Sequence, residues 1–225
     1  MDNDVLRQAP LFSALDDEAA GALRASMVET TLRRGEVLFH EGDSGDKLYI
    51  VTDGKVKLGR SSSDGRENLL AIMGPGQMFG ELSLFDPGPR SATVTAVTDT
   101  AFVSLSHADL LRWLEGRPMV ARGLLAQLAG RLRKSNDVVA DLVFSDVPGR
   151  VAKQLLDLAD RFGRSADDGV HVHHDLTQEE LAQLVGASRE TVNKALADFA
   201  SRGWVRLEPR SVVIMDVERL SRRAR

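Results

Sequence analysis

Apolar residues recur at fours near the start of the chain: Leu11, Leu15, Ala19, Leu23 and Met27. Asp16, Asp17 and Glu18 stand where acidic groups suit a helix N-terminus, so the first thirty residues are predicted to be helical. From Glu29 to about Ser106 the period falls to two. Short runs at 37–39, 48–51, 56–58, 69–72, 93–97 and 101–105 are rich in Val, Ile, Leu, Phe and Thr. They alternate with the turn signals Arg34-Gly35, Gly42-Asp43-Ser44-Gly45-Asp46, Asp53-Gly54, Asp64-Gly65 and Gly74-Pro75-Gly76. Evenly spaced short strands with such turns predict a jelly-roll type of β-roll.

Helical spacing then returns. Ser106 with Asp109 three residues on reads as an acidic capping-box variant, and Pro118 opens the next helix. Val120, Leu124, Leu125, Leu128, Leu132, Val139, Leu142 and Val143 line one side of a helix that ends before Pro148, with Arg131, Arg133 and Lys134 beside the stripe. Such a stripe is buried either against its own domain or against a second copy. The length, about 25 residues, favours self-association.

A second domain follows Asp146-Val147-Pro148-Gly149. Residues 150–161 read as an amphipathic helix, 163–168 as a polar loop and 170–173 as a short strand. Thr177-Gln178-Glu179-Glu180 is a capping box opening a helix to Val185. Gly186-Ala187 turns the chain, and Ser188 caps a helix reaching about Ser201. Residues 204–207 and 212–215 then flank Glu208-Pro209-Arg210-Ser211 as a hairpin. Helix, tight turn, helix and hairpin make a winged helix-turn-helix. The predicted class is α+β: a roll over 1–117, a dimerisation helix and hinge over 118–146 with Asp146 at the hinge, and a winged helix-turn-helix over 147–225.

Composition narrows the function. Of 225 residues, 43% are apolar and 28% charged, as in a globular protein. No apolar run approaches the roughly 18 residues of a membrane span, and the acidic start lacks the features of a secretory signal, so the expected location is cytoplasmic. There is no cysteine, which excludes disulfides, thiolate clusters, cysteine-bearing zinc fingers and cysteine nucleophiles. Net charge is −4 but uneven: residues 1–146 carry −5 and residues 147–225 carry +1. A domain at +1 still binds a polyanion if its bases share one face.

In a helix-turn-helix the second helix presents its N-terminal residues to base edges in the major groove. With Val192, Leu196 and Phe199 turned inward, Arg189, Glu190 and Lys194 point outward. Arginine suits guanine O6 and N7, glutamate accepts from cytosine N4, and lysine reaches guanine or phosphate. Thr177 is placed for a phosphate oxygen. A merely solvated helix start is the plain alternative; the apolar Leu181/Leu184 helix leading into Gly186-Ala187-Ser188 weighs against it. In the roll, Gly80 permits close backbone approach, Glu81 opens a short turn, and Arg90 re-enters beside a strand in an apolar shell. A lone arginine there wants an anion, either a ligand phosphate or the Glu81 carboxylate.

Gly80-Glu81-Leu82…Arg90-Ser91-Ala92 resembles the phosphate-binding cassette of cyclic-nucleotide-binding domains. Together with Gly186-Ala187-Ser188-Arg189-Glu190-Thr191-Val192 it resembles the CRP/FNR family of bacterial transcription regulators, over nearly the whole chain. Within that family, residues 146–156 resemble the actinobacterial cAMP receptor proteins. The resemblance implies that Arg90 neutralises a cyclic phosphate aided by Ser91. Glu81 would accept from the ribose 2′-OH, Gly80 would lie against the sugar, and Leu70 and Ala71 would pack the purine. Where cAMP sensors of the family place a Thr-Ser pair against adenine, one from each subunit, this chain has Ser135-Asn136. The implied mechanism is a ligand-driven population shift in a homodimer, bringing both recognition helices onto double-stranded DNA at a palindrome near TGTGA-N6-TCACA, with RNA polymerase as partner.

Other signals carry less. His171 and His173 share a strand face but no carboxylate is placed to complete a metal site, so no metal is expected. Gly74-Pro75-Gly76…Gly80 lacks the third glycine of a dinucleotide fingerprint, and no Ser-His-Asp order is suggested near Gly42. The Arg222-Arg223-Ala224-Arg225 tail reads as a solvated terminus. No catalytic constellation emerges, so an enzyme is not expected. Two alternatives stand beside a cAMP-gated regulator: the same architecture binding DNA constitutively or answering another ligand, and a cyclic-nucleotide-binding module that acts through protein contacts.

Overall fold

The computed structural model describes residues 3–9, 11–12, 15–62, 67–86 and 88–224; the Asp64-Gly65 turn signal, Pro87 of the cassette and Arg225 of the tail lie outside them. Residues 1–65 and 70–133 form one compact unit, and residues 66–69 and 134–225 the other.

The first unit begins with α1 (Asn3–Gln8) and α2 (Asp17–Ala25). The expected single N-terminal helix is therefore corrected to two, followed by strand β1 (Val28–Leu32). Leu11 and Phe12 sit in turns closed by Phe12 N–H to Ala9 C=O at 2.9 Å and Leu15 N–H to Phe12 C=O at 3.0 Å. Both side chains are buried, so at Leu11 the fourfold spacing meets a tertiary demand, while Ala19 and Leu23 keep it on α2. Asp16 caps α2 by accepting from the Ala19 N–H.

The roll comprises β1, β2 (Val37–Phe39), β3 (Lys47–Asp53), β4 (Val56–Ser61), β5 (Glu67–Met73), β6 (Met78–Phe79), β7 (Thr93–Ala96) and β8 (Thr100–Ser106), with the one-turn helix α3 (Leu82–Phe85) after β6. They form two four-stranded sheets, β1-β8-β3-β6 and β2-β7-β4-β5. Strand alternation sends each residue set to its own core. Leu48 and Ile50 of β3 with Val103 and Leu105 of β8 join Leu23, Leu110, Val120 and Leu124 beneath the helices. Val51 of β3 and Phe102 of β8 face the other way, with Phe79, Val56 and Val94 inside the roll. Tyr49, Phe39 and Phe79 cluster at that inner core, with ring centroids 5.4 to 6.3 Å apart and only the Tyr49–Phe79 pair stacked.

Ser106 caps α4 (His107–Leu114), accepting from the Asp109 N–H at 3.1 Å. Helix α5 (Pro118–Phe144) runs for 27 residues. The expected stripe divides. Val120 and Leu124 are buried under the roll, whereas Leu125, Leu132, Val139, Leu142 and Val143 are exposed on the chain as it stands.

The second unit carries α6 (Val147–Phe162), β9 (Gly163–Ala166), β10 (Gly169–Val172), α7 (Gln178–Val185), α8 (Arg189–Ser201), β11 (Val205–Glu208), β12 (Ser211–Ile214) and α9 (Val217–Arg223). Three expectations are corrected. Helix α6 starts at Val147, not Arg150, because Asp146 is its N-cap and Pro148 fits the first turn. The segment expected as a polar loop is strand β9, paired with β10 from Gly163↔Val172 to Ala166↔Gly169. As an edge strand in the order β11-β12-β10-β9 it needs only backbone pairing, so its sequence stays polar. Helix α9 was not expected; its Leu220 is fully buried in the core that Val151, Leu155, Val192, Leu196 and Phe199 build.

Asp146 accepts from the Gly149 N–H at 2.9 Å and from Arg223 at 2.5 Å. The Arg223 hydrogen bond, then that of Gly149, holds its carboxyl below the usual range. Asp146→Ala is expected to cost about 1 kcal/mol of cap energy. Because the folded pKa is the lower one, that contribution is present above the ordinary carboxylate pKa of about 4 and lost as pH falls through the folded value. Thermal midpoints of both proteins across acid pH test this by converging at the acid end.

Candidate functional site

In the roll, three segments converge on Arg90. Strand β6 is followed by Gly80, whose φ of +81° lies in the left-handed region. A Cβ there would stand 2.8 Å from Arg90 Nη1 and 3.0 Å from the Lys47 carbonyl oxygen, so backbone and guanidinium meet only over a glycine. The loop after β2 fastens the arginine: Arg90 N–H donates to Asp43 C=O at 2.7 Å, and Gly42 N–H to Arg90 C=O at 2.9 Å.

Arg90 is 4% exposed. Its Nη1 donates to the Gly80 carbonyl and its Nη2 to the Lys47 carbonyl, each at 2.9 Å. The Phe39 ring lies beneath, 4.2 Å from the guanidinium carbon to the centroid. Nε is buried without a partner. No carboxylate forms a salt bridge with this cation among the described residues, and burial pushes its pKa down, countered by the charges of Tyr49, Asp46, Asp43 and Glu81. The same burial raises the Tyr49 hydroxyl.

Of the two anions open to Arg90, the Glu81 carboxylate is not the one used. Glu81 is 1% exposed and pairs with Arg131 of α5, Oε1 to Nη1 at 2.5 Å; Arg131 Nη2 also donates to the Met78 carbonyl. Glu81 Oε2 is buried and accepts nothing. Arg131 read in the sequence only as one base beside the stripe. No local spacing announces a pair fifty positions apart.

The remaining cassette positions scatter. Leu82 and Ser91 are exposed. Leu70 and Ala71 are successive strand residues, so they face opposite ways: Ala71 packs against the Phe79–Phe102 core, while Leu70 is half exposed. Ser135 and Asn136 are exposed on α5. Leu125, Leu132 and Val139 recur at sevens along that helix, with Leu128 and Leu142 three residues after the first and the last of them. Ser135 holds the matching place, a polar step in a heptad seam.

In the second unit, the Thr177 hydroxyl accepts from the Glu180 N–H at 3.2 Å while Glu180 Oε2 accepts from the Thr177 N–H at 2.8 Å, completing the expected capping box. Gly186 takes φ +69° at the end of α7. Ser188 accepts from the Thr191 N–H at 3.3 Å and starts α8. Val192, Leu196 and Phe199 are buried, which leaves Arg189, Glu190 and Lys194 exposed on the opposite side. Among the described residues Arg189 has no ion-pair or hydrogen-bond partner. Glu190 and Lys194 pair at 2.8 Å, both largely in water, a contact worth about 0.3–0.5 kcal/mol and so readily exchanged for another partner.

Two supports of this face escaped the sequence. Asn193 Nδ2 donates to Gln178 Oε1 at 3.1 Å, joining α7 to α8. Arg150 donates to the carbonyls of Ser145, Val185 and Gly186 at 2.8, 3.2 and 3.2 Å, tying the end of α5 to the turn between α7 and α8. Asp168 Oδ1 lies 2.6 Å from His171 Nε2, a pair that the spacing of the histidines did not announce. Among the described residues no group of three His, Asp or Glu side chains is placed to hold a metal, and no helix is long and apolar enough to cross a membrane.

The two halves of this geometry match known families. A cyclic nucleotide-binding domain model matches residues 29–117, and a Crp-like helix-turn-helix domain model matches residues 149–223. The chain is 56% identical over 223 residues to a CRP-like cAMP-activated global transcriptional regulator of Mycobacterium tuberculosis, covering 99% of this chain and 100% of that one. FixK2 from Bradyrhizobium japonicum superposes with a TM-score of 0.78 at 26% identity, over 87% of this chain and 96% of that one. A Thermus thermophilus catabolite activator protein matches with a TM-score of 0.56 at 38% identity, over 96% and 98%. With a cyclic-nucleotide-binding β-domain, a long helix and a C-terminal helix-turn-helix, the chain belongs to the CRP/FNR family of transcription regulators.

Proposed function

We propose that this protein is a cytoplasmic homodimeric regulator whose grip on DNA is set by cAMP. The observation that carries the reading is a buried Arg90 cation lacking a carboxylate, bonded to the Gly80 carbonyl, with a buried Glu81 oxygen lacking a donor on the next residue. A cyclic ribose phosphate supplies both missing partners: an anion for Arg90, and a 2′-OH for Glu81 Oε2. Gly80 then faces the sugar, Ser91 assists at the phosphate, Leu82 completes the cassette, and Ala71 and Leu70 flank the purine. Ser135 is assigned to the adenine, together with Asn136 of the partner subunit. The exposed heptad face of α5 is assigned to a second copy.

On DNA, Arg189 is assigned to guanine O6 and N7, Glu190 to cytosine N4, and Lys194 to guanine or phosphate. Thr177 and Ser188 are assigned to phosphate oxygens, with Asp146 at the hinge between long helix and DNA-reading domain. The target is a TGTGA-type palindrome, and RNA polymerase is the partner in transcription. Arg189→Ala is expected to cost about 1–3 kcal/mol of discrimination at one guanine per half-site; an equal loss on every sequence would mean that Arg189 touches phosphate alone.

Fluorescence anisotropy of a labelled TGTGA-type palindrome, titrated with and without saturating cAMP, tests the whole. Tightening of about tenfold or more, equivalent to about 1.4 kcal/mol of coupling, is expected. Equal binding in both conditions points to a constitutive DNA binder, and no binding at any salt to a module that acts through protein contacts.

A further inference from the structure

Beside Arg189, Glu190 and Lys194, the outward arc of α8 holds Asn193. At about 3.6 residues per turn, Asn193 stands between the first two, about 40° round the helix from Arg189 and about 60° short of Glu190. The buried set Val192, Ala195, Leu196 and Phe199 occupies the other side. Asn193 is partly exposed, and it lies one turn further along the helix than the arginine assigned to guanine.

Its carboxamide is only half satisfied. Nδ2 donates to Gln178 Oε1 at 3.1 Å, whereas Oδ1 is buried and accepts from nothing. As a purely structural link this is poor, since it gains one neutral hydrogen bond and leaves an acceptor desolvated. No base edge reaches the oxygen where it stands. A turn of the side chain about its Cα–Cβ bond gives up only the Gln178 hydrogen bond and frees the oxygen from burial. The carboxamide then presents a donor and an acceptor side by side, on the arc that meets base edges. That pair is the complement of adenine, whose N7 accepts and whose N6 amine donates in the major groove. Guanine offers two acceptors there and can engage the amide nitrogen alone.

We infer that Asn193 is a further base-reading residue, specific for adenine at an A·T pair next to the guanine taken by Arg189, and that Gln178 holds it in reserve in the free protein. The inference rests on the reading that α8 enters the major groove of a TGTGA-type palindrome. It adds discrimination at an A·T pair, which an arginine, a glutamate and a lysine assigned to guanine, cytosine or phosphate do not supply.

The test uses the full chain with saturating cAMP and fluorescence anisotropy on a set of labelled palindromes. In each, one A·T pair is replaced symmetrically in both half-sites by G·C, or its adenine by 7-deazaadenine, which lacks the N7 acceptor. The wild type should lose about tenfold or more in affinity at one A·T pair, and the 7-deaza base at that pair should reproduce much of the loss. Asn193→Ala should bind the parent palindrome more weakly by a similar factor and be indifferent to both changes at that pair, while keeping full sensitivity to the guanine of Arg189. Gln178→Ala removes only the hold in the free protein and should keep the preference for adenine. If Asn193 does no more than fasten α7 to α8, the two variants lose affinity alike on every sequence, and that result overturns the inference. So does an Asn193→Ala protein with the wild type's sensitivity to every A·T pair, or a wild type sensitive to none. A wild type that binds no palindrome overturns the DNA reading and the inference together. Equal thermal midpoints for the variants exclude unfolding as the cause of a loss.

Discussion

Arg90→Ala is expected to abolish cyclic-nucleotide binding, weakening it a hundredfold or more, while the roll stays folded. A charge-assisted hydrogen bond to a phosphate oxygen contributes about 1.5–3 kcal/mol, and the loss of the cation's attraction for the phosphate adds to it. Stability responds differently because the native arginine is held by neutral groups, the Gly80 and Lys47 carbonyls and the Phe39 ring. Removing a buried cation that lacks a counter-charge relieves a desolvation cost, while the two carbonyls lose their donors. The opposed effects should keep the net change in unfolding free energy within about 1–2 kcal/mol. Titration calorimetry beside a thermal melt reads both quantities, and an unchanged cAMP affinity would remove Arg90 from the site.

The second large effect is expected on α5. Leu132 and Val139 are 64% and 61% exposed, so glutamate at both positions should leave each unit folded while placing charges in the heptad seam. Sedimentation should then find a monomer, against the dimer expected of the wild type. Affinity for the full palindrome should fall about a hundredfold or more, since two half-sites are no longer engaged together, while binding to a single half-site persists. A double variant that still sediments as a dimer would assign the apolar face of α5 to something other than a second copy.

What the sequence revealed, and what it withheld, follows the reach of each interaction. The cap at Ser106, the capping box at Thr177 and the caps at Asp16 and Ser188 are satisfied within three residues, so a spacing rule finds them. The inward set of α8, Val192, Leu196 and Phe199, is fixed by helical period and was equally legible. Strand β9 was missed because an edge strand with polar side chains carries no hydrophobic signature, and α9 because it buries a single apolar residue, Leu220. The N-terminal helix was overdrawn because Leu11 satisfies a tertiary core at a spacing that helices share. Within the cleft, the residue types at Gly80, Glu81 and Arg90 suggested phosphate chemistry. Their true neighbours, Lys47, Phe39 and Arg131, come from distant segments and became known only through the fold.

The divided carboxylate of Glu81 gives the cleft a line to the helix. One oxygen is occupied by Arg131 and the other faces no donor, yet both draw on a single delocalised charge. On the proposed reading, a ligand hydroxyl that donated to the open oxygen would pull electron density toward itself and slacken the hold on the guanidinium. The same carboxylate would then report occupancy as a change in tension at position 131, on the long helix, without any atom of the ligand touching that arginine.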